Sequence, residues 1–235
     1  MSTQLAYSVD HATPFPPLVV ARNPWMKTPG ERPERGSALG MAGSVLHFGQ
    51  DREIYSEGAE ADLFFKVVSG VVRTCKFLSD GRRQIDAFYK AGDVFGFEPG
   101  GLHGFSAEAV CDCTLISYRR RGLEALAAND EGLLAQLFSY AMQSLARAQE
   151  HALLLGRRSA TEKVAAFLID GIDESNGGRI VNLAMTRQDI ADYLGLTIET
   201  VSRTLSQLER DALIEIPAAR QIHLKIRPPL RELNA

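Results

Sequence analysis

Leu134, Phe138, Ala141, Leu145, Ala148, Ala152 and Leu155 follow one another at alternating spacings of four and three, in a stretch without proline. A seam of that period marks one face of a long helix. About 30 residues of helix extend roughly 45 Å, more than the interior of a small domain can hold. Whatever folds before and after it must therefore hang on a rod. The stripe is narrow and rich in alanine, which lets two backbones approach closely. Leu134, Phe138, Ala141, Leu145, Ala148 and Ala152 are accordingly read as the contact line of a two-fold dimer. A single helix packed on its own domain is the competing reading. His151 lies beside the seam and is expected to be a solvated surface residue.

Ahead of the rod, from about residue 43 to 118, the chain shows short apolar or alternating runs separated by glycine turns. Leu63 to Val68 and Val71 to Leu78 flank Ser69-Gly70. Asp80-Gly81 is a strong hairpin signal before Arg83 to Tyr89, and Gly92 to Gly96 is expected to turn again. Strands at this spacing suggest a compact antiparallel barrel or roll. Residues 1–42 are rich in Pro, Gly, Ser and Thr and read as a loosely packed arm.

Behind the rod, Gly156 interrupts before a second helix of about Ser159 to Asp173, with Val164, Ala165 and Leu168 as its buried set. Ser175-Asn176-Gly177-Gly178 reads as a turn. Thr186 to Leu208 then reads as two short helices hinged at Gly195. Thr186 and Thr197 are placed to cap them, with Asp189 at the favourable third position of the first. Val201, Leu205 and Leu208 fall on one face of the second helix; Glu199, Ser202, Arg203 and Ser206 fall on the other. A helix so divided packs on a domain by one side and enters a DNA groove by the other. There Arg203 can donate two hydrogen bonds to guanine, Glu199 can accept from a cytosine amino group, and Ser202 suits a thymine or adenine edge. Thr186, Arg187, Gln188, Thr197 and Thr200 lie where phosphates would pass. A plain surface ion pair between Glu199 and Arg203 is the bland alternative. Ile214 to Ile216 and Ile222 to Ile226, flanking Pro217 to Gln221, read as a two-stranded wing.

Charge tempers this reading. The 235-residue chain carries a net charge of −3. Residues 154–235 hold eleven Lys+Arg and eleven Asp+Glu. Specific contacts, rather than bulk attraction, must carry the affinity. Three cysteines without C-x-x-C spacing fit a reduced cytoplasm. Cys111 and Cys113 are expected on one face of a strand, as small buried hydrophobes rather than a redox pair. No apolar run approaches the roughly 20 residues of a membrane helix, and no export pattern opens the chain. A cytoplasmic protein is expected. No acid/base pair, nucleophile motif or metal spacing points to an enzyme.

The run Met185-Thr186-Arg187-Gln188-Asp189-Ile190-Ala191, followed by Glu199-Thr200-Val201-Ser202-Arg203, resembles the helix-turn-helix of the Crp/Fnr family of bacterial transcription regulators. The Glu-x-x-Ser-Arg pattern is similar to the FixK-like branch, whereas Crp carries Gly before the Arg. The resemblance covers about residues 43–226. It implies an α+β fold: an N-terminal antiparallel β-roll like a cyclic-nucleotide-binding domain (43–120), a dimerisation helix (121–156) and a C-terminal winged helix-turn-helix (157–235). It further implies a homodimer, probing double-stranded DNA for a TTGA…TCAA-type inverted repeat, that activates transcription through RNA polymerase, with the loop Gly100 to Gly104 as a candidate surface.

The sensor half departs from the family's best-known members. Cyclic-nucleotide binders carry Gly-Glu-x-x and a later Arg-Ser/Thr-Ala. Here the stretches read Gly96-Phe97-Glu98-Pro99 and Phe105-Ser106-Ala107, so Phe105 replaces the phosphate-binding Arg. Fnr-type iron–sulfur sensors use N-terminal cysteines, and the arm has none. The FixK-like reading needs no cofactor. The alternative is a haem- or small-ligand-dependent sensor, for which His47 and His103 are the candidates.

Overall fold

The computed structural model describes residues 43–122, 130–156, 159–171 and 180–225. The expected arm, the turn at 175–178 and Ile226 lie outside these described residues. Eight strands build the first half: β1 (Ser44–Phe48), β2 (Glu53–Tyr55), β3 (Leu63–Ser69), β4 (Val72–Phe77), β5 (Arg83–Tyr89), β6 (Val94–Phe95), β7 (Ser106–Ala109) and β8 (Cys113–Arg119). They form two four-stranded sheets ordered β1-β8-β3-β6 and β2-β7-β4-β5, with every pairing antiparallel. This is the expected roll.

Two of its glycine segments shape how the strands connect. Ser69-Gly70 does not close a hairpin; it carries the chain from one sheet to the other. Gly70 has φ +87°, and a Cβ there would meet Asp112 O at 2.5 Å and Cys113 Sγ at 2.6 Å, so only glycine fits. The segment Gly92 to Gly96 is not all turn, because Val94 and Phe95 pair with Lys66 and Phe65 as β6. Asp80-Gly81 does close β4 onto β5, with Phe77 opposite Arg83. Phe65, Val67, Val72, Phe95, Ala107 and Leu115 fill the space between the sheets.

Helix α1 (Glu131–Leu155) is 25 residues long, shorter than the 30 expected, because Asp130 caps it by accepting from the Leu133 amide. Its inner side packs Leu133, Leu137 and Tyr140 on Phe64, Val94 and Tyr118 of the roll. Two residues leave the roles read for them. His151 is buried rather than solvated: its ring stacks on Tyr193 at 4.1 Å, and Nε2 lies 2.8 Å from the Tyr193 carbonyl oxygen. Leu155 turns from the seam toward Gly195, its Cδ2 lying 3.5 Å from where a Cβ would stand.

The remaining elements are α2 (Ala160–Asp170), β9 (Ile180–Asn182), α3 (Arg187–Leu194), α4 (Ile198–Arg210), β10 (Ile214–Ala218) and β11 (Gln221–Leu224). Val164, Ala165 and Leu168 are the buried face of α2, as read. The wing differs from the reading in two ways. It has three strands, ordered β10-β11-β9. Pro217 also lies inside β10 rather than in the loop, at a register shift between Glu215 and Ala218 that accommodates its missing N–H. One core joins Val164, Leu168, Ile190, Leu194, Val201, Leu205, Leu208, Ile214 and Ile222. Val110 of the roll is buried in the same cluster, with Val71 and Phe88 packed against it.

Candidate nucleic-acid interface

Local chemistry fixes α3 and α4 at their ends. Thr186 accepts from the Asp189 amide at 3.1 Å while the Asp189 carboxylate accepts from the Thr186 amide at 3.0 Å and its hydroxyl at 2.8 Å. This reciprocal cap satisfies donors that a helix start would otherwise leave unpaired. Gly195 ends α3 in the left-handed region, φ 62° and ψ 41°, where the Ala191 carbonyl receives its amide. Thr197 then starts α4 by accepting from the Thr200 amide at 3.2 Å. The hinge expected at Gly195 and both caps are therefore present.

α4 divides as its sequence implies. Val201, Thr204, Leu205 and Leu208 are buried, whereas Glu199, Arg203 and Ser206 are exposed and Ser202 is half-buried. Arg203 makes no ion pair or hydrogen bond among the described residues, so its fork of donors stays available. The Glu199–Arg203 pair does not close into a salt bridge. Glu199 is nonetheless held below the usual carboxylate range, first by its own backbone amide, then by the Thr197 hydroxyl, with Arg203 adding to both.

The residues read as phosphate contacts sit around this helix with unequal freedom. Gln188 is exposed but its side-chain amide donates to Asp192 at 2.6 Å. Arg187 reaches the Ser202 hydroxyl at 3.4 Å, tying a residue assigned to phosphates to one assigned to base edges. Thr186 and Thr197 are occupied first as caps, and the Thr197 and Thr200 hydroxyls lie 3.1 Å apart. Asp189, read only as a capping partner, has a second role that the sequence did not show. Asp189 is 1% exposed, and its carboxyl is held below the ordinary range: burial pushes it up, but the two bonds from Thr186 and the guanidiniums of Arg73 and Arg83 outweigh that. Its buried place on a short helix, opposite charges 106 and 116 residues away, left no local signal.

Helix α1 leaves an apolar stripe bare. Leu134, Phe138, Ala141, Leu145, Ala148 and Ala152 are all exposed. Met142 and Leu153 widen the stripe, Leu153 being 73% exposed.

The sensor-like cavity lies between the roll and α1, about 120 Å³ in volume, lined by Tyr55, Asp86, Tyr89, Phe95, Phe97, Glu98, Phe105 and Ser144 among others. Ligand pockets usually run to roughly 300–1,000 Å³. Two carboxylates and no cation line it, so a cyclic nucleotide's phosphate would meet repulsion where it needs a donor. The residues present do not fit that group. Of the two histidines read as haem candidates, His47 is exposed and shares a contact with Thr114 Oγ1 at 3.2 Å, whereas His103 is buried, stacked on Tyr55 at 3.6 Å with Nδ1 facing Glu98 at 3.5 Å. Cys111 and Cys113 do not share a strand as expected, because β8 begins at Cys113. Cys113 is buried with Sγ 3.1 Å from the Val71 carbonyl oxygen, and burial raises its thiol. Cys75 is buried too, its thiol pushed up to about 11 by burial, which disfavours the reactive thiolate.

Comparison with known proteins agrees with this layout. Residues 45–130 match the cyclic nucleotide-binding domain, and residues 162–233 match the Crp-like helix-turn-helix domain. The nitrogen fixation regulation protein FixK of Azorhizobium caulinodans is 47% identical over 198 residues, covering 82% of this chain and 80% of that protein. The transcriptional activatory protein AadR of Rhodopseudomonas palustris is 43% identical over 175 residues, 73% of each chain. The structure of FixK2 from Bradyrhizobium japonicum superposes with a TM-score of 0.77 at 42% identity, covering 83% of this chain and 98% of that one. Among the described residues, no helix is long and apolar enough to cross a membrane.

Proposed function

Because the chain belongs to the Crp/Fnr family of transcription regulators, and is not an enzyme, we propose that it works as a homodimer on a TTGA…TCAA-type inverted repeat and activates transcription there. In this reading the partner covers the stripe from Leu134 to Ala152. Two copies of α4 then enter successive major grooves about 34 Å apart. Arg203 and Glu199 read the G·C pair and Ser202 its neighbour, while Thr186, Arg187, Gln188, Thr197 and Thr200 flank the phosphates.

The observation that carries it is the exposed Arg203, uncommitted among the described residues on a helix whose other face is fully buried. The acid-lined cavity supports a cytoplasmic regulator that needs no anionic effector. RNA polymerase is the further partner, with the 100–104 loop on the roll as the contact; Leu102 there is 57% exposed.

The test is a mobility shift with a TTGA…TCAA palindrome against a scrambled duplex, with no ligand added. Preferential binding to the palindrome is expected. Equal binding to both, or binding only after haem or a nucleotide is supplied, overturns the reading.

A further inference from the structure

The β4–β5 hairpin belongs to the roll, yet its arginines reach the first helix of the DNA-binding unit. Arg73 is 7% exposed. Its Nη1 donates to Asp189 Oδ1 at 3.1 Å, its Nε to Glu108 Oε2 at 2.8 Å, and its Nη2 to Asp51 Oδ1 at 3.2 Å. Arg83 straddles α3: Nη2 donates to Asp189 Oδ1 at 2.6 Å and Nε to Asp192 Oδ2 at 2.7 Å. Two guanidiniums thus face four carboxylates. Losing either arginine leaves a single guanidinium against four carboxylates, with the 1%-exposed Asp189 the most buried of them.

Asp189 and Asp192 each turn their other oxygen to a residue read above as a phosphate contact. Asp189 Oδ2 holds the amide and hydroxyl of Thr186, and Asp192 Oδ1 accepts from Gln188 at 2.6 Å. Apolar contacts hold the same helix less specifically: Tyr193 lies 5.3 Å from the Phe88 ring and stacks on His151. Such contacts permit sliding, whereas forked guanidinium–carboxylate pairs fix direction and register.

We propose that Arg73 and Arg83 are positioning residues for DNA recognition. They touch no DNA. They set the pose of the helix-turn-helix on its own protomer's roll. Through the two-fold axis, they also set the separation of the two recognition helices. This rests on the inverted-repeat reading above.

The test uses the full-length protein and fluorescent duplexes: the palindrome at its normal spacing, the same half-sites one base pair closer and farther apart, a single half-site and a scrambled site. Arg83→Gln is expected to weaken binding to the normal palindrome at least tenfold, to weaken the single half-site less, and to flatten the preference among spacings. Arg83→Lys, which keeps the charge but not the fork, is expected to fall between. Asp192→Asn, at a partly exposed position, should reproduce the flattening and carries the test if Arg83→Gln fails to fold. The double variant should be no weaker than the worse single one, since both act through one contact. Unaltered spacing preference in folded variants overturns the proposal, as does tighter binding, which would make the contact autoinhibitory. A parent protein indifferent to palindrome and scrambled site overturns the inverted-repeat reading itself, and this inference with it.

Discussion

Phe138→Ala should break the dimer before it harms the protomer. Phe138 is 66% exposed on α1, the largest side chain in the bare stripe. A Phe side chain offers about 200 Å² of surface, so about 130 Å² is free to be covered. At about 25 cal/mol per Å², full covering on both protomers would contribute about 6 kcal/mol, an upper bound. If the partner covers half of that, the variant loses about 3 kcal/mol, or a dimer dissociation constant raised on the order of 150-fold. Sedimentation equilibrium across a concentration series reads this directly, and circular dichroism confirms that the protomer stays folded. The variant should also lose palindrome binding while a half-site duplex still binds weakly. A dissociation constant within twofold of the parent's would refute the seam, and with it the two-fold geometry on which the site assignment depends.

Three further outcomes are expected. Arg203→Ala should erase discrimination at the guanine at a loss of about 1–3 kcal/mol, read by titrating duplexes that differ at that base pair; an equal loss on every duplex would make Arg203 a phosphate contact. Gly195→Ala places a Cβ in a left-handed backbone, φ +62°, and should lower stability by about 1–2 kcal/mol in urea unfolding, with no change counting against the hinge. Asp189 has its folded pKa depressed, so its contribution is fully present above the ordinary aspartate range and drains as pH falls through the lowered value. Unfolding followed from pH 7 down to about 2 should therefore show an acid limb that Asp189→Asn flattens.

Local chemistry was readable in the sequence wherever the cause was local. The caps at Thr186 and Thr197, the left-handed turn at Gly195, the Asp80-Gly81 hairpin and the two faces of α4 all depend on neighbours within a few residues. The apolar stripe on α1 was readable for the same reason. Its end was not: Leu155 keeps the period but is drawn away by α3, and His151 is buried by Tyr193, 42 residues on. Strand β9 escaped notice because three residues gain strand character only by pairing with β11. The arginine–aspartate contacts were hidden most deeply. Arg73 and Arg83 alternate along ordinary strands, and nothing in their surroundings in sequence anticipates partners on α3.

The burial of Val110 within the C-terminal core, with Val71 and Phe88 packed against it, bears on how the protein comes apart. The roll and the helix-turn-helix match separate families of sequence, yet physically they share apolar side chains. A fragment severed near Gly156 would show bare hydrocarbon where the roll had been, and would be expected to self-associate. In calorimetry the intact chain should absorb heat in one merged transition rather than two. Evolution can exchange modules of this kind only when the newcomer also brings a matching patch of oil.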